Sequence, residues 1–190
     1  VGGNDANDGS QGKPWKTLSK ANTTLTPGDT VYLRAGEYAG QVIRPAASGQ
    51  AGKPIHYLAF SGEKPVLTNA KAAGGTAINL DDRSYIIVRG IEVNGKAAFK
   101  NANVLRWLSM SNTAYSTVSG CRFQYAEGPE GVLLTNGAQY NKLLNNTFDQ
   151  SGAWNDGSGK PTGVLLSVQC ASFNTIEGNQ FLRGGNALLY

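Results

Sequence analysis

The side chains best suited to chemistry in this 190-residue chain lie in its second half. Arg106 and Arg183 each offer a forked guanidinium that grips a carboxylate through two parallel hydrogen bonds. Lys100 and Lys160 are the lysines near them. Glu127 with Glu130, and Asp149 with Asp156, supply carboxylate pairs of the kind that hold calcium through oxygen. Tyr125 and Trp154 present flat apolar faces with a polar rim, suited to stacking on a sugar ring. Each has a plainer reading as well: loop charges are ordinarily solvated, and a loop aromatic can simply pack onto the body of the protein. His56, the single histidine, lies in a strand-like run and reads as structural, and no Cys/His metal spacing is present.

These residues sit on a repeated template. Tyr115 to Phe123 (YSTVSGCRF), Tyr140 to Phe148 (YNKLLNNTF) and Phe173 to Phe181 (FNTIEGNQF) are copies, and Tyr85 to Val93 (YIIVRGIEV) is a looser one. A repeated unit of this size cannot bury its apolar face alone, so copies must stack into a rod with a continuous core. The fourth positions (Val88, Val118, Leu143, Ile176) and the ninth (Val93, Phe123, Phe148, Phe181) are expected to form two inward stacks. Flanking positions such as Arg122, Thr147, Gln124 and Asp149 alternate outward, the period of a strand. Gly90, Gly120, Asn145 and Gly178 tolerate a left-handed backbone, which predicts a sharp bend between the two stacks. Segments Gly131 to Thr135 (GVLLT) and Gly163 to Ser167 (GVLLS) add a further strand, giving about three short strands per coil. The copies are unevenly spaced because loops are inserted at Gly95 to Ala102 and Ser151 to Thr162, and such insertions build binding faces.

The first 30 residues read as a cap. Trp15, Leu18 and Ala21, three apart after Pro14, predict a short amphipathic helix over the open end of the first coil. Thr30 to Leu33 and Gln41 to Arg44 look like the first strands, and Lys53 to Phe60 and Pro65 to Leu67 the next. Residues 1–190 thus form one all-β domain, a parallel solenoid, with 1–30 as cap and 31–190 as coils.

The runs Gly3-Asn4-Asp5, Gly9-Ser10, Pro14 to Leu18, Pro27 to Tyr38, Gly52 to Ile55 and Gly62 to Val66 are similar to the opening of secreted right-handed parallel β-helix proteins. That group includes polysaccharide lyases of the alginate lyase, chondroitinase B and pectate lyase kind. The resemblance implies the fold strongly and the activity weakly, since function resides in sites rather than folds. It implies a substrate lying across the first strands of the coils, where Arg106, Thr135 and Ser167 point outward, and across the adjoining loops. It implies a base, for which Lys100 and Lys160 are nearest, and a carboxylate clamp, for which Arg106 and Arg183 are nearest. Calcium would neutralise the substrate carboxylate, because the proton beside it is weakly acidic until positive charge stabilises the developing anion. Lys and Arg do not occur at matching offsets in adjacent coils, so no catalytic residue carries over. The implied partner is an anionic polysaccharide and the implied location is secreted or at the cell surface.

Composition agrees. The 25 glycines suit a chain that turns several times per coil, and no run reaches the ~20 apolar residues of a membrane span. A net charge of +4 suits an anionic polymer, while the 17 scattered basic residues among 13 acidic ones argue against nucleic acid. Cys121 and Cys170 fall at different offsets, so no disulfide is expected and both read as small core residues. The start at Val1 reads as a removed leader or upstream segment. Asn186 to Tyr190 opens a coil without closing it, which fits a fragment of a longer protein, end-to-end self-association, or capping by another chain. A noncatalytic β-helix with a structural, adhesive or filament-forming role is therefore the alternative to a lyase.

Overall fold

The computed structural model describes residues 2–96, 103–151, 163–184 and 186–189. Three parallel sheets stack the rungs; each rung after the first contributes one strand to each sheet, while the first contributes strands to two of them and only an isolated bridge to the third. The first sheet stacks β1 (Thr30–Leu33), β3 (Ile55–Ala59), β6 (Ile86–Arg89), β9 (Thr117–Ser119), β12 (Lys142–Leu144) and β15 (Thr175–Glu177). The second stacks β2 (Gly36–Ala39), β4 (Pro65–Thr68), β7 (Glu92–Asn94), β10 (Arg122–Ala126), β13 (Thr147–Ser151) and β16 (Gln180–Leu182). The third stacks β5 (Thr76–Asn79), β8 (Arg106–Ser111), β11 (Glu130–Thr135), β14 (Val164–Val168) and β17 (Asn186–Leu189).

Both inward stacks take the register expected of them. Val88 aligns with Val118, Val118 with Leu143, and Leu143 with Ile176. Val93 aligns with Phe123, Phe123 with Phe148, and Phe148 with Phe181. The phenyl rings stack at 5.0 and 5.2 Å between centroids, and Trp107 packs beside them at 6.0 Å from Phe123. Gly90, Gly120, Asn145 and Gly178 all have positive φ, which turns the chain from the first sheet into the second.

Next to these bends runs an asparagine ladder. Asn146 Oδ1 accepts the Cys121 N–H at 2.9 Å, while its Nδ2 donates to Val118 O at 2.9 Å and to Asn179 Oδ1 at 3.0 Å. Asn141 and Asn174 make a second ladder, with Ser116 at its far rung. A corner buried between rungs cannot reach water, so these amides satisfy backbone groups that the strands leave over. At the template's first position Tyr85, Tyr115, Tyr140 and Phe173 form a third stack, this one outside the core, with centroids 5.0 to 5.1 Å apart.

The N-terminal region departs from expectation in two places. Helix α1 spans Leu18–Thr24 and excludes Trp15, because the extended Thr17 caps it and accepts the Lys20 N–H at 3.2 Å. Asp5 accepts from the backbone of Lys16 and Thr17 at 2.9 Å, holding that stretch straight. The second strand is Gly36–Ala39 rather than Gln41 to Arg44. Asn22 of α1 binds Val42 O and the Arg44 N–H, and Gln41 Oε1 accepts from Leu18, leaving only an isolated bridge from Ile43 to Ile78. Leu18, Ala21 and Leu25 join the core, so α1 does cover its end. Both cysteines are free; Cys121 is buried and its thiol is pushed up to about 11 by that burial, whereas Cys170 is exposed rather than in the core.

Candidate functional site

Every strand of the second sheet hands the chain to a corner leading toward the third, and charged side chains gather along that corner. Strands, the residues just past them and the 3-10 turn Ala70–Ala73 place these charges, so neighbours along the band come from different rungs. Lys96, just past β7, pairs with Glu37 of β2 at 2.5 Å, and Glu37 also accepts from Thr68 Oγ1 at 2.7 Å. Lys96, and then Thr68, hold the Glu37 carboxyl below its ordinary range. Lys71 pairs with Glu127, which follows β10. Arg106 of β8 reaches Glu130 of β11 at 2.8 Å, and its Nε is buried with no partner. Arg183, after β16, binds Asp149 of β13 with both edges of its fork, the Nε to Oδ1 distance being 2.8 Å. Asp149 is 2% exposed while the Arg183 side chain is 60% exposed. Hydrogen bonding to Asp149, followed by its charge, raises the Arg183 guanidinium further above its ordinary value, with Tyr125 adding to the effect.

Arg106, Glu127, Glu130, Asp149 and Arg183 are thus brought to one band, with Tyr125 beside Arg183. Asp149 and Gln124, expected outward, stand on the outer face of their sheet yet are buried there. Lys100, Trp154, Asp156 and Lys160 lie outside the described residues. The three described carboxylates considered for calcium, Glu127, Glu130 and Asp149, are each engaged by a basic side chain. Among the described residues no group of three or more His, Cys, Asp or Glu side chains is placed to hold a metal. Thr135 is half-buried on the third sheet, and Ser167 is buried, its hydroxyl accepting from Gln169 at 2.8 Å. His56 sits on β3 with Nδ1 3.3 Å from Thr30 Oγ1, remote from the band.

Sequence reading missed Lys71 and Lys96. Neither belongs to the repeated template, and the partners of both lie more than 50 residues away in sequence, so spacing carried no signal. Chemically, the band is a row of opposed charges. It can exchange internal partners for the carboxylates of an extended anionic ligand, because a guanidinium fork fits either equally well.

Over residues 1–182 the sequence matches the family model described as "Pel9A-like, right handed beta helix region". The chain belongs to this family. As a Pel9A-like β-helix it is a right-handed parallel solenoid, the class expected from its repeats. It is 37% identical over 86 residues to "Pectate lyase L" of Paenibacillus polymyxa (strain SC2), which covers 41% of this chain and 18% of that protein. It is 30% identical over 95 residues to "Uncharacterized protein YwoF" of Bacillus subtilis (strain 168), covering 48% of this chain and 20% of that protein. Among solved structures, pectate lyase Pel9A superposes with a TM-score of 0.66 at 20% identity, over 94% of this chain and 44% of Pel9A. This Pel9A-like chain therefore matches about a fifth of the length of those curated relatives and shares the fold of the solved lyase.

Proposed function

We propose that the chain is part of an exported polysaccharide lyase that cleaves a uronic-acid polymer by β-elimination. The observation that carries this reading is membership of the Pel9A-like family along nearly the whole chain. The charged band supports it, because it lines the corner from which the long inserted segments leave the coils. In the reaction a base takes the proton beside the uronate carboxylate, that electron pair forms a carbon–carbon double bond, and the glycosidic oxygen departs and is protonated. Lys100 or Lys160 is the proposed base. Arg106 and Arg183 hold polymer carboxylates in place of Glu130 and Asp149, and Tyr125 and Trp154 stack on sugar rings. No step is routed through calcium, since Glu127, Glu130 and Asp149 are each already engaged by a basic side chain.

The test is to incubate the chain with polygalacturonate, alginate and chondroitin sulfate, with and without calcium, and follow the ultraviolet absorbance of the unsaturated uronate product. A rise with one polymer is expected, abolished in a variant lacking both Lys100 and Lys160. Absence of product from all three rejects elimination and favours a noncatalytic β-helix, whose end-to-end assembly would then appear as concentration-dependent rods in sedimentation.

A further inference from the structure

The charged band follows the corner between the second sheet and the third. The corner where the third sheet hands the chain to the first is its opposite in character. Residues 112–116, 136–141 and 170–174, three successive passes around that corner, include no Asp, Glu, Lys, Arg or His, in a chain with 17 basic and 13 acidic residues. Here stand Tyr115, Tyr140 and Phe173, with ring centroids 5.1 Å apart and planes within 7° of parallel. The residues just ahead of them, Ala114, Gln139 and Ser172, pair in register, so the rings recur once per rung. Tyr115 and Tyr140 have a neighbouring ring on each face and are still 48% and 42% exposed, so they show solvent their edges and hydroxyls. The hydroxyls of Tyr38 and Tyr57 donate internally, to Arg34 O and Asn22 Oδ1, whereas those of Tyr115 and Tyr140 have no partner among the described residues.

Beside the rings runs a row of exposed amides. Asn112 and Asn136 are fixed by donating Nδ2 to Asp82 Oδ1 at 3.0 Å and to Ser111 Oγ at 2.8 Å, which turns each Oδ1 into the available acceptor. The backbone is strained to hold both rows. φ is +56 at Tyr115, +55 at Tyr140 and +56 at Phe173, a left-handed conformation that is costly for a bulky aromatic residue and free for glycine. Strain kept in this way, pass after pass, is a mark of functional surface.

Identical groups at one spacing read a ligand that repeats at that spacing, and a strip without charge suits a neutral one. An extended β-linked glucan meets both conditions. It advances by close to one rung spacing per sugar, and its hydroxyls can donate to an amide oxygen and exchange hydrogen bonds with a phenol. We propose that this corner binds a neutral β-linked glycan lying along the rod axis, one sugar per rung, with Asn112, Tyr115, Asn136 and Tyr140 as its contacts. The site is independent of the uronate reading: it attaches the chain to a neutral fibre and leaves the charged band free for its own ligand.

The experiment is depletion of the chain from solution by microcrystalline cellulose, with granular starch, the α-linked polymer of the same sugar, in parallel and with salt varied in both. Retention by cellulose and not by starch is expected, undiminished at high salt because no ion pair is involved. Tyr115→Phe combined with Tyr140→Phe removes the two hydroxyls and keeps the stack, since Phe173 already holds a phenyl ring in it. The double variant should melt like the parent and bind cellulose about three- to tenfold more weakly. A folded parent chain that cellulose does not retain, equal retention by starch, or unchanged affinity in the double variant would each overturn the proposal. Retention that disappears on adding salt would assign the contact to the charged band and overturn it as well.

Discussion

Phe148 lies between Phe123 and Phe181 with no solvent exposure, so its neighbours offer a carboxylate neither water nor a partner. Phe148→Asp should therefore lose its cooperative thermal transition, while a polar substitution at the adjacent, half-buried Thr147 should melt close to the parent. Circular dichroism melting of the pair checks both register and direction. Asn146→Ala is a subtler test: it orphans the Cys121 N–H and the Val118 carbonyl inside a dry corner, and should cost about 2–4 kcal/mol in denaturant unfolding. Gly178→Ala should cost about 1–2 kcal/mol, because φ is +65 and the new Cβ would meet Asn145 Oδ1 at 2.1 Å. The apolar stacks were legible because inward residues recur at fixed template offsets. Of the asparagines, only the bend-forming role of Asn145 was legible. The ladder role of Asn146 was not, since its hydrogen bonds run to the rungs above and below rather than along the chain.

At the scale of elements, the regular rungs followed from period-two alternation, whereas the cap did not. Hydrophobic spacing placed Trp15 in the helix, but Asp5, ten residues earlier in the chain, straightens Lys16 and Thr17 and moves the helix start to Leu18. A contact of that kind has no local signature. Similarly, Gln41 to Arg44 has strand-like residues, yet only Ile43 pairs with the neighbouring rung, while Asn22 of the cap binds Val42 O and the Arg44 N–H on the other side. The cap and the first two rungs also concentrate acid sensitivity. The carboxyls of Asp5, Asp8, Asp29, Glu37 and Glu63 all lie below their ordinary values, chiefly through hydrogen bonds from Thr17, Ser10, Thr26, Lys96 and Arg34 respectively. Groups depressed in the folded state contribute stability that is complete above the ordinary values of 3.8 for Asp and 4.5 for Glu and is lost as pH falls through the folded ones. On acidification, amide signals of α1 and the Asn4–Thr17 segment should broaden or disappear before those of β10 and β13. Simultaneous loss throughout the chain would contradict this account of the cap.

Over the whole molecule, stacking converts sequence-distant charges into one continuous band, and this is why the band was only half visible beforehand. Arg106, Glu127, Glu130, Asp149 and Arg183 were recognisable as candidates, but their pairing with one another and with Lys71 appears only once the rungs are in register. The central claim is that polymer carboxylates take the places of internal ones along this band. Glu130 is the place to test it, being partly exposed and bound to Arg106 through a single oxygen at 2.8 Å. Glu130→Gln keeps the shape of the side chain and removes the competing charge. We would measure the affinity of polygalacturonate for parent and Glu130→Gln chains by calorimetry at low ionic strength, with folding confirmed by circular dichroism. The account predicts binding severalfold tighter in the variant, a gain of roughly 0.5–1 kcal/mol that shrinks as salt is added. Unchanged or weaker binding by a folded Glu130→Gln chain would contradict it.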